Sequence, residues 1–92
     1  MRVLITDDSK MSIISVKHVF DGMEDVEIIS AYNGVEALEQ HRTFRPDVIF
    51  LDIGLNRSDL SRNSISLKYD AAATAKHIRK EWNISIIFIV GH

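Results

Sequence analysis

The chain has 92 residues, with 11 basic and 13 acidic side chains, a net charge of −2 and no cysteine. That length is enough for one small domain, and a lone domain of this size is marginal because much of its surface stays in water. The charges are mixed, with no Lys/Arg stripe, which argues against direct nucleic-acid binding by this segment. The absence of cysteine excludes disulfides and thiolate metal sites.

The predicted elements alternate along the chain. Val3-Leu4-Ile5 reads as a short buried strand closed by Thr6-Asp7-Asp8. Ser9 then caps a helix whose expected apolar face is Met11, Ile14, Val19 and Phe20, stopped by Asp21-Gly22. Residues 26–31 form a second strand. Asn33-Gly34 opens a second helix, with Val35, Ala37, Leu38 and His41 on or near one side. Arg45-Pro46-Asp47 ends it, since proline lacks the amide and restricts the residue before it. Val48-Ile49-Phe50-Leu51 is apolar without alternation, the pattern of a parallel strand covered on both faces, and it ends at Asp52.

Residues 56–69 are rich in Ser, Asn and Arg and read as a long surface loop. Asp70 is placed to cap a third helix, in which Ala71, Ala75, Ile78 and Trp82 share one face, with Trp82 as a core cap. Residues 84–90 give a fourth, almost wholly apolar strand. The order βαβαβαβ predicts a parallel sheet with right-handed crossovers. The longest apolar stretch falls far short of the roughly 20 residues that span a bilayer, and the N-terminal apolar run is too short for a signal peptide. The expectation is therefore a soluble cytoplasmic protein with no membrane contact.

Three carboxylates follow buried strands: Asp7 and Asp8 after the first, Asp52 after the third. In an open parallel sheet ligands bind beyond the carboxyl ends of the strands, where strand order reverses. A sheet order of 2-1-3-4 makes strands one and three neighbours and brings the three acids together. Like charges in a cleft resist ionisation, and a hard dication removes that conflict. Mg²⁺ takes oxygen ligands and commonly joins one or two carboxylates to a phosphate. A carboxylate is also a nucleophile for aspartyl-phosphate formation, a reaction that depends on positioning and charge neutralisation. Either acid motif taken alone has a plainer reading, as a helix-capping turn; the combination on these two strands carries the functional one.

With these residues in view, the chain resembles a response-regulator receiver domain of two-component signalling. The resemblance rests on residues 3–9 (VLITDDS) with Met11, on residues 31–38 (AYNGVEAL), on residues 45–53 (RPDVIFLDI) and, more weakly, on residues 86–91. It implies a flavodoxin-like α/β fold, with residues 1–92 as the N-terminal part of the domain, β1 to β4, and 56–69 as a long β3–α3 loop. It implies that Asp52 is the phosphoacceptor, Asp8 a direct Mg²⁺ ligand, Asp7 a direct or water-mediated one, and the Gly54 backbone carbonyl the remaining protein ligand. The implied donor is a phosphohistidine on a sensor histidine kinase or phosphotransfer protein. Such a domain takes part in its own phosphotransfer and is not a turnover enzyme.

Three departures from the family stand out. The usual fifth strand, its lysine and the last helices have no counterpart among these 92 residues. Val90 stands where the family has a Ser or Thr hydroxyl, which predicts a weak conformational readout. The loop after Gly54 is longer than usual by about ten residues. An apolar last strand at the sheet edge invites pairing with another chain, so a homodimer, edge-paired or with exchanged elements, is expected. His18, His41 and His77 lie on separate helices without paired spacing and read as surface or boundary residues rather than ligands. The competing functional class is a phosphorylation-independent, receiver-like interaction module.

Overall fold

Each helix of the chain begins where a short polar side chain can take up an orphan amide. In the computed structural model, which describes residues 1–54 and 70–89, Ser9, Asn33 and Asp70 all accept a backbone N–H from three residues on. At Asn33 the cap is reciprocal: Glu36 donates its amide to the Asn33 side chain at 2.8 Å and accepts the Tyr32 amide through its carboxylate at 3.3 Å. The elements in order are β1 (Arg2–Thr6), α1 (Lys10–Val19), β2 (Glu27–Ala31), α2 (Gly34–Phe44), β3 (Val48–Asp52), α3 (Ala71–Glu81) and β4 (Ser85–Ile89). All pairings are parallel and the sheet order is β2-β1-β3-β4, as the alternation predicts. This is the flavodoxin-like, receiver-type α/β arrangement.

Side chains of the strands alternate between the two faces of the sheet. Leu4, Ala31 and Ile49 point to the face covered by α2 and α3, where Ala37 and Ile78 complete a fully buried cluster with Ile84 at its edge. Leu51 continues this face against Ala71 and Ala75 of α3. Val3 and Ile5 point to the opposite face, against Ile13 of α1, with Val16, Phe20, Val48 and Phe50 half-buried around them. Phe20 meets Phe50 edge-on with ring centroids 5.9 Å apart. The α1 face of β3 is thus only partly covered among the described residues, unlike its α2–α3 face.

Several expectations need correction. The inner face of α1 is Ile13 with Val16 and Phe20, whereas Met11 (72% exposed), Ile14 and Val19 face outward. Val35 is likewise exposed on α2. His41 is buried at 1% exposure rather than lying on the surface or at a boundary, because it faces the α3 end of α2. Trp82 is 47% exposed and lies outside the buried face of α3; it is the C-cap residue, in extended backbone, and the Arg45 guanidinium lies over its ring at 4.3 Å from the centroid. Arg45 reaches it from a left-handed conformation (φ 55°, ψ 61°) that closes α2 just before Pro46. The expected loop 56–69 and Val90 lie outside the described residues.

Core and surface assignments separate in stability. Replacing Ile78 by Ala removes a fully buried side chain and is expected to cost about 2–5 kcal/mol. Met11→Ala is expected to stay within about 0.5 kcal/mol of the parent. Urea denaturation of the two variants checks both.

Candidate functional site

The register of β1 on β3 decides what meets beyond the strand ends. Thr6 pairs with Leu51, so Asp7 and Asp52 follow at the same level of neighbouring strands. Asp8 extends the turn on the β1 side, and carboxylate oxygens of Asp7, Asp8 and Asp52 lie within 4.8 Å of one another. Asp7 and Asp52 are buried, at 4% and 7% exposure, and Asp8 is exposed. The sequence reading therefore brings together the three acids it singled out.

Backbone amides hold the two buried carboxylates in the same way. Ser9 donates its N–H to Asp7 Oδ1 at 2.9 Å, and Gly54 donates its N–H to Asp52 Oδ1 at 3.2 Å. In each case the aspartate bonds the amide two residues on, the local turn to which Asp is suited. Ser9 thus serves twice: its side chain caps α1 and its amide fixes Asp7. The Asp-Asp-Ser and Asp-Ile-Gly strings carried this signal, which the sequence reading did not use. At Gly54 a Cβ would lie 3.5 Å from Asp52 Oδ2, an ordinary van der Waals contact, so a methyl group there would fit beside the carboxylate.

The main chain around the site is secured by the sheet. Asp7 donates its amide to the Ala31 carbonyl at 3.0 Å, and Ile53 donates to the Ile89 carbonyl at 3.0 Å. The ends of all four strands therefore converge on the acidic cluster. At the end of β1, the fully buried Thr6 hydroxyl has no hydrogen-bond partner among the described residues, a feature the sequence did not signal.

The electrostatics are those of crowded like charges. Burial pushes the Asp7 carboxyl above its ordinary value; the Ser9 amide opposes this, and the charges of Asp52 and Asp8 and a carboxyl–carboxyl contact with Asp52 add to it. Such a cluster of hard oxygen donors, two of them pre-oriented by amides, matches what an oxygen-loving divalent cation takes. No side chain of the softer nitrogen or sulfur type shares the cluster among the described residues.

The comparisons with known proteins agree with this geometry. The profile of the response regulator receiver domain family matches residues 3–92, and the chain belongs to that family, the receiver domains of two-component response regulators. A protein-glutamate methylesterase/protein-glutamine glutaminase of Idiomarina loihiensis is 43% identical over 54 residues, covering 58% of this chain and 14% of that protein. The transcriptional regulatory protein BtsR of Salmonella typhi is 38% identical over 58 residues, covering 62% of this chain and 24% of its own length. The crystal structure of the response regulator domain of Thermotoga maritima CheB superposes with a TM-score of 0.76 at 27% identity, over 98% of this chain and 60% of that one. The chain spans at most a quarter of these two curated relatives and about three fifths of that solved domain. No helix among the described residues is long and apolar enough to cross a membrane.

The raised pKa of Asp7 sets a direction for stability in metal-free solution. The folded state holds that proton more tightly than the unfolded chain, so the contribution is favourable at low pH and is lost as pH rises through the raised value. Asp7→Asn keeps an acceptor for the Ser9 amide and removes one of the three charges. It is expected to melt at a higher temperature than the parent at neutral pH in the presence of a chelator, and calorimetry across pH checks both statements.

Proposed function

We propose that this segment receives a phosphoryl group on Asp52 from a phosphohistidine of a sensor histidine kinase or phosphotransfer protein, with Mg²⁺ held by Asp7, Asp8, Asp52 and the Gly54 backbone carbonyl. The observation that carries the reading is the convergence of the three carboxylates within 4.8 Å at the ends of β1 and β3. Family membership supports it, since aspartyl phosphorylation is what a receiver domain's acidic pocket serves.

The chain's own residues divide the work. Asp52 supplies the attacking oxygen: a carboxylate Oδ–phosphorus bond forms as the phosphorus–nitrogen bond to the donor imidazole breaks, and the electron pair leaves with that nitrogen. The Gly54 amide holds Oδ1 of Asp52, which leaves Oδ2 as the nucleophile. Asp7, fixed by the Ser9 amide, and the exposed Asp8 form the opposite wall. Mg²⁺, when bound, neutralises the carboxylates and the transferring phosphoryl oxygens together. The segment is itself the acceptor and leaves this transfer carrying the phosphoryl group, which makes it a signalling component and not a turnover enzyme. Membership of the receiver family supports the cytoplasm, alongside its kinase, as the compartment we assign.

A second reading has an observation of its own. Val90 offers no hydroxyl at the position where receivers place Ser or Thr, which favours a receiver-like interaction module that does not depend on phosphorylation. Incubation with Mg²⁺ and a small phosphodonor separates the two. The first reading expects a mass increase of one phosphoryl group that is absent in Asp52→Asn and absent without Mg²⁺. A chain that stays unmodified under these conditions leaves only the interaction module standing. Mg²⁺ alone is also expected to stabilise the parent, by about 2.7 kcal/mol at a hundredfold excess over its dissociation constant, and to do so less for Asp8→Asn.

Self-association belongs to the same proposal. Among the described residues β4 is a sheet edge on which Ile87 and Phe88 are exposed on opposite faces, and unpaired apolar edges pair with other chains. We read this as a homodimer, edge-paired or with exchanged elements. Light scattering is expected to give twice the chain mass, and Ile87→Lys is expected to restore the monomer. A parent that stays monomeric at high concentration overturns the dimer and leaves the phosphoacceptor reading untouched.

A further inference from the structure

The C-terminal ends of α2 and α3 are joined by a cluster that the phosphoacceptor site does not use. Arg42 of α2 grips Glu81 of α3 through both carboxylate oxygens, Nε to Oε1 at 3.0 Å and Nη2 to Oε2 at 2.6 Å. Beneath that pair lies His41, fully buried, with Nε2 3.7 Å from Glu81 Oε1 and Nδ1 without a hydrogen-bond partner among the described residues. Beside it Arg45 stacks on Trp82. The clasp therefore has a charged outer layer, a cation–ring layer and a buried imidazole at its root.

We propose that His41 is a proton-sensitive latch between α2 and α3: as the neutral imidazole it lets the clasp close, and taking up a proton opens it. The geometry supplies the reason. A protonated ring carries N–H donors on both nitrogens. Nε2–H would find Glu81, which is already committed to Arg42, and Nδ1–H would be a buried donor with no acceptor among the described residues, which costs a desolvation penalty. Among the described residues the charges that bear on His41 are Glu81 from α3, Arg42 on its own helix and Arg45 at that helix's cap. His77, one turn before Glu81, bears on Glu81 in turn. From the strands under α2 the inner face meets the apolar Leu4, Ile29 and Ala31. One carboxylate favours the imidazolium, while burial and two guanidiniums oppose it. In line with this, burial above all and then Arg45 and Arg42 hold its pKa below the ordinary value, against Glu81.

The sign follows. A histidine whose folded pKa is lowered leaves stability intact above its ordinary value near 6.5, and that stability is lost as pH falls from there toward the lowered value. Within this window the open-to-closed ratio of the clasp is expected to rise about tenfold per pH unit. The consequence reaches past the clasp, because α3 also packs its Ala71 and Ala75 on Leu51, the residue before Asp52.

The chain's single tryptophan is in the clasp, so its emission reports opening directly. In metal-free buffer, acidification of the full chain from about pH 7 to about pH 5 is expected to shift Trp82 emission while the far-ultraviolet circular dichroism is retained. His41→Gln, neutral at every pH, is expected to abolish the shift. Glu81→Gln is expected to move its midpoint to lower pH, because the one group favouring the imidazolium is gone. Emission that stays flat until the chain unfolds, or a shift retained in His41→Gln, overturns the proposal. Should His41→Gln fail to fold, the imidazole resonance of His41 in the parent decides: titration below the ordinary histidine value of about 6.5 supports the latch, and titration at or above that value overturns it.

Discussion

Parallel pairing of β1 with β3 forces carboxylates from distant parts of the chain into one small space, and most of the local structure around them is arranged to bear that. The register aligns Thr6 with Leu51, so the next residues of both strands must share the crevice. Both are aspartates, and burial together with the neighbouring charges raises the proton affinity of Asp7. The strain is limited by two backbone amides, from Ser9 and Gly54, each donated to the aspartate two residues earlier. The helix that leaves β1 starts at the same Ser9. Strand pairing, turn and helix start are thus one device, and loss of any part would let the carboxylates separate.

The two sides of the sheet carry unequal loads. On one, α2 and α3 bury Leu4, Ile49, Leu51 and Ile78 completely and are tied to each other by the Arg42–Glu81 pair. On the other, α1 covers Val3 and Ile5 but leaves Val48 and Phe50 half-buried. α3 therefore belongs to the rigid side and spans it lengthwise. Its first turn lies on Leu51 beside the acidic cluster, and its last residues lie in the clasp, about 16 Å away at 1.5 Å per residue.

What was legible in the sequence was whatever depends on near neighbours. The strand runs, the caps at Ser9, Asn33 and Asp70, and the acids at strand ends are set by the chemistry of two to four consecutive residues, and the structure has them where the sequence puts them. The inner face of α1 was misread because apolar residues surround that helix: Met11, Ile13, Ile14, Val16 and Val19 offer more than one stripe, and only the position of β1 selects Ile13. His41 and Trp82 were misplaced for a related reason. Their surroundings come from Glu81 and Arg45, about 40 residues away along the chain in each case. The Val90 position and the stretch 56–69 lie outside the described residues, and the dimer rests on the exposed edge of β4 alone.

The places where local rules are broken point the same way as the family. A buried pair of carboxylates with a third beside it is a net loss for a metal-free domain, since each charge is desolvated and repelled. Asparagine side chains at positions 7 and 52 would accept the same two amides at less cost. Sequences tend to break such rules at functional sites, where the gain comes from something other than folding. Here the broken rule is confined to three residues at the end of two strands, while the caps, core and sheet register follow the rules closely. The cluster is therefore best understood as a site held in tension by an otherwise consistent fold, and an oxygen-loving divalent cation is the kind of partner that would relieve it.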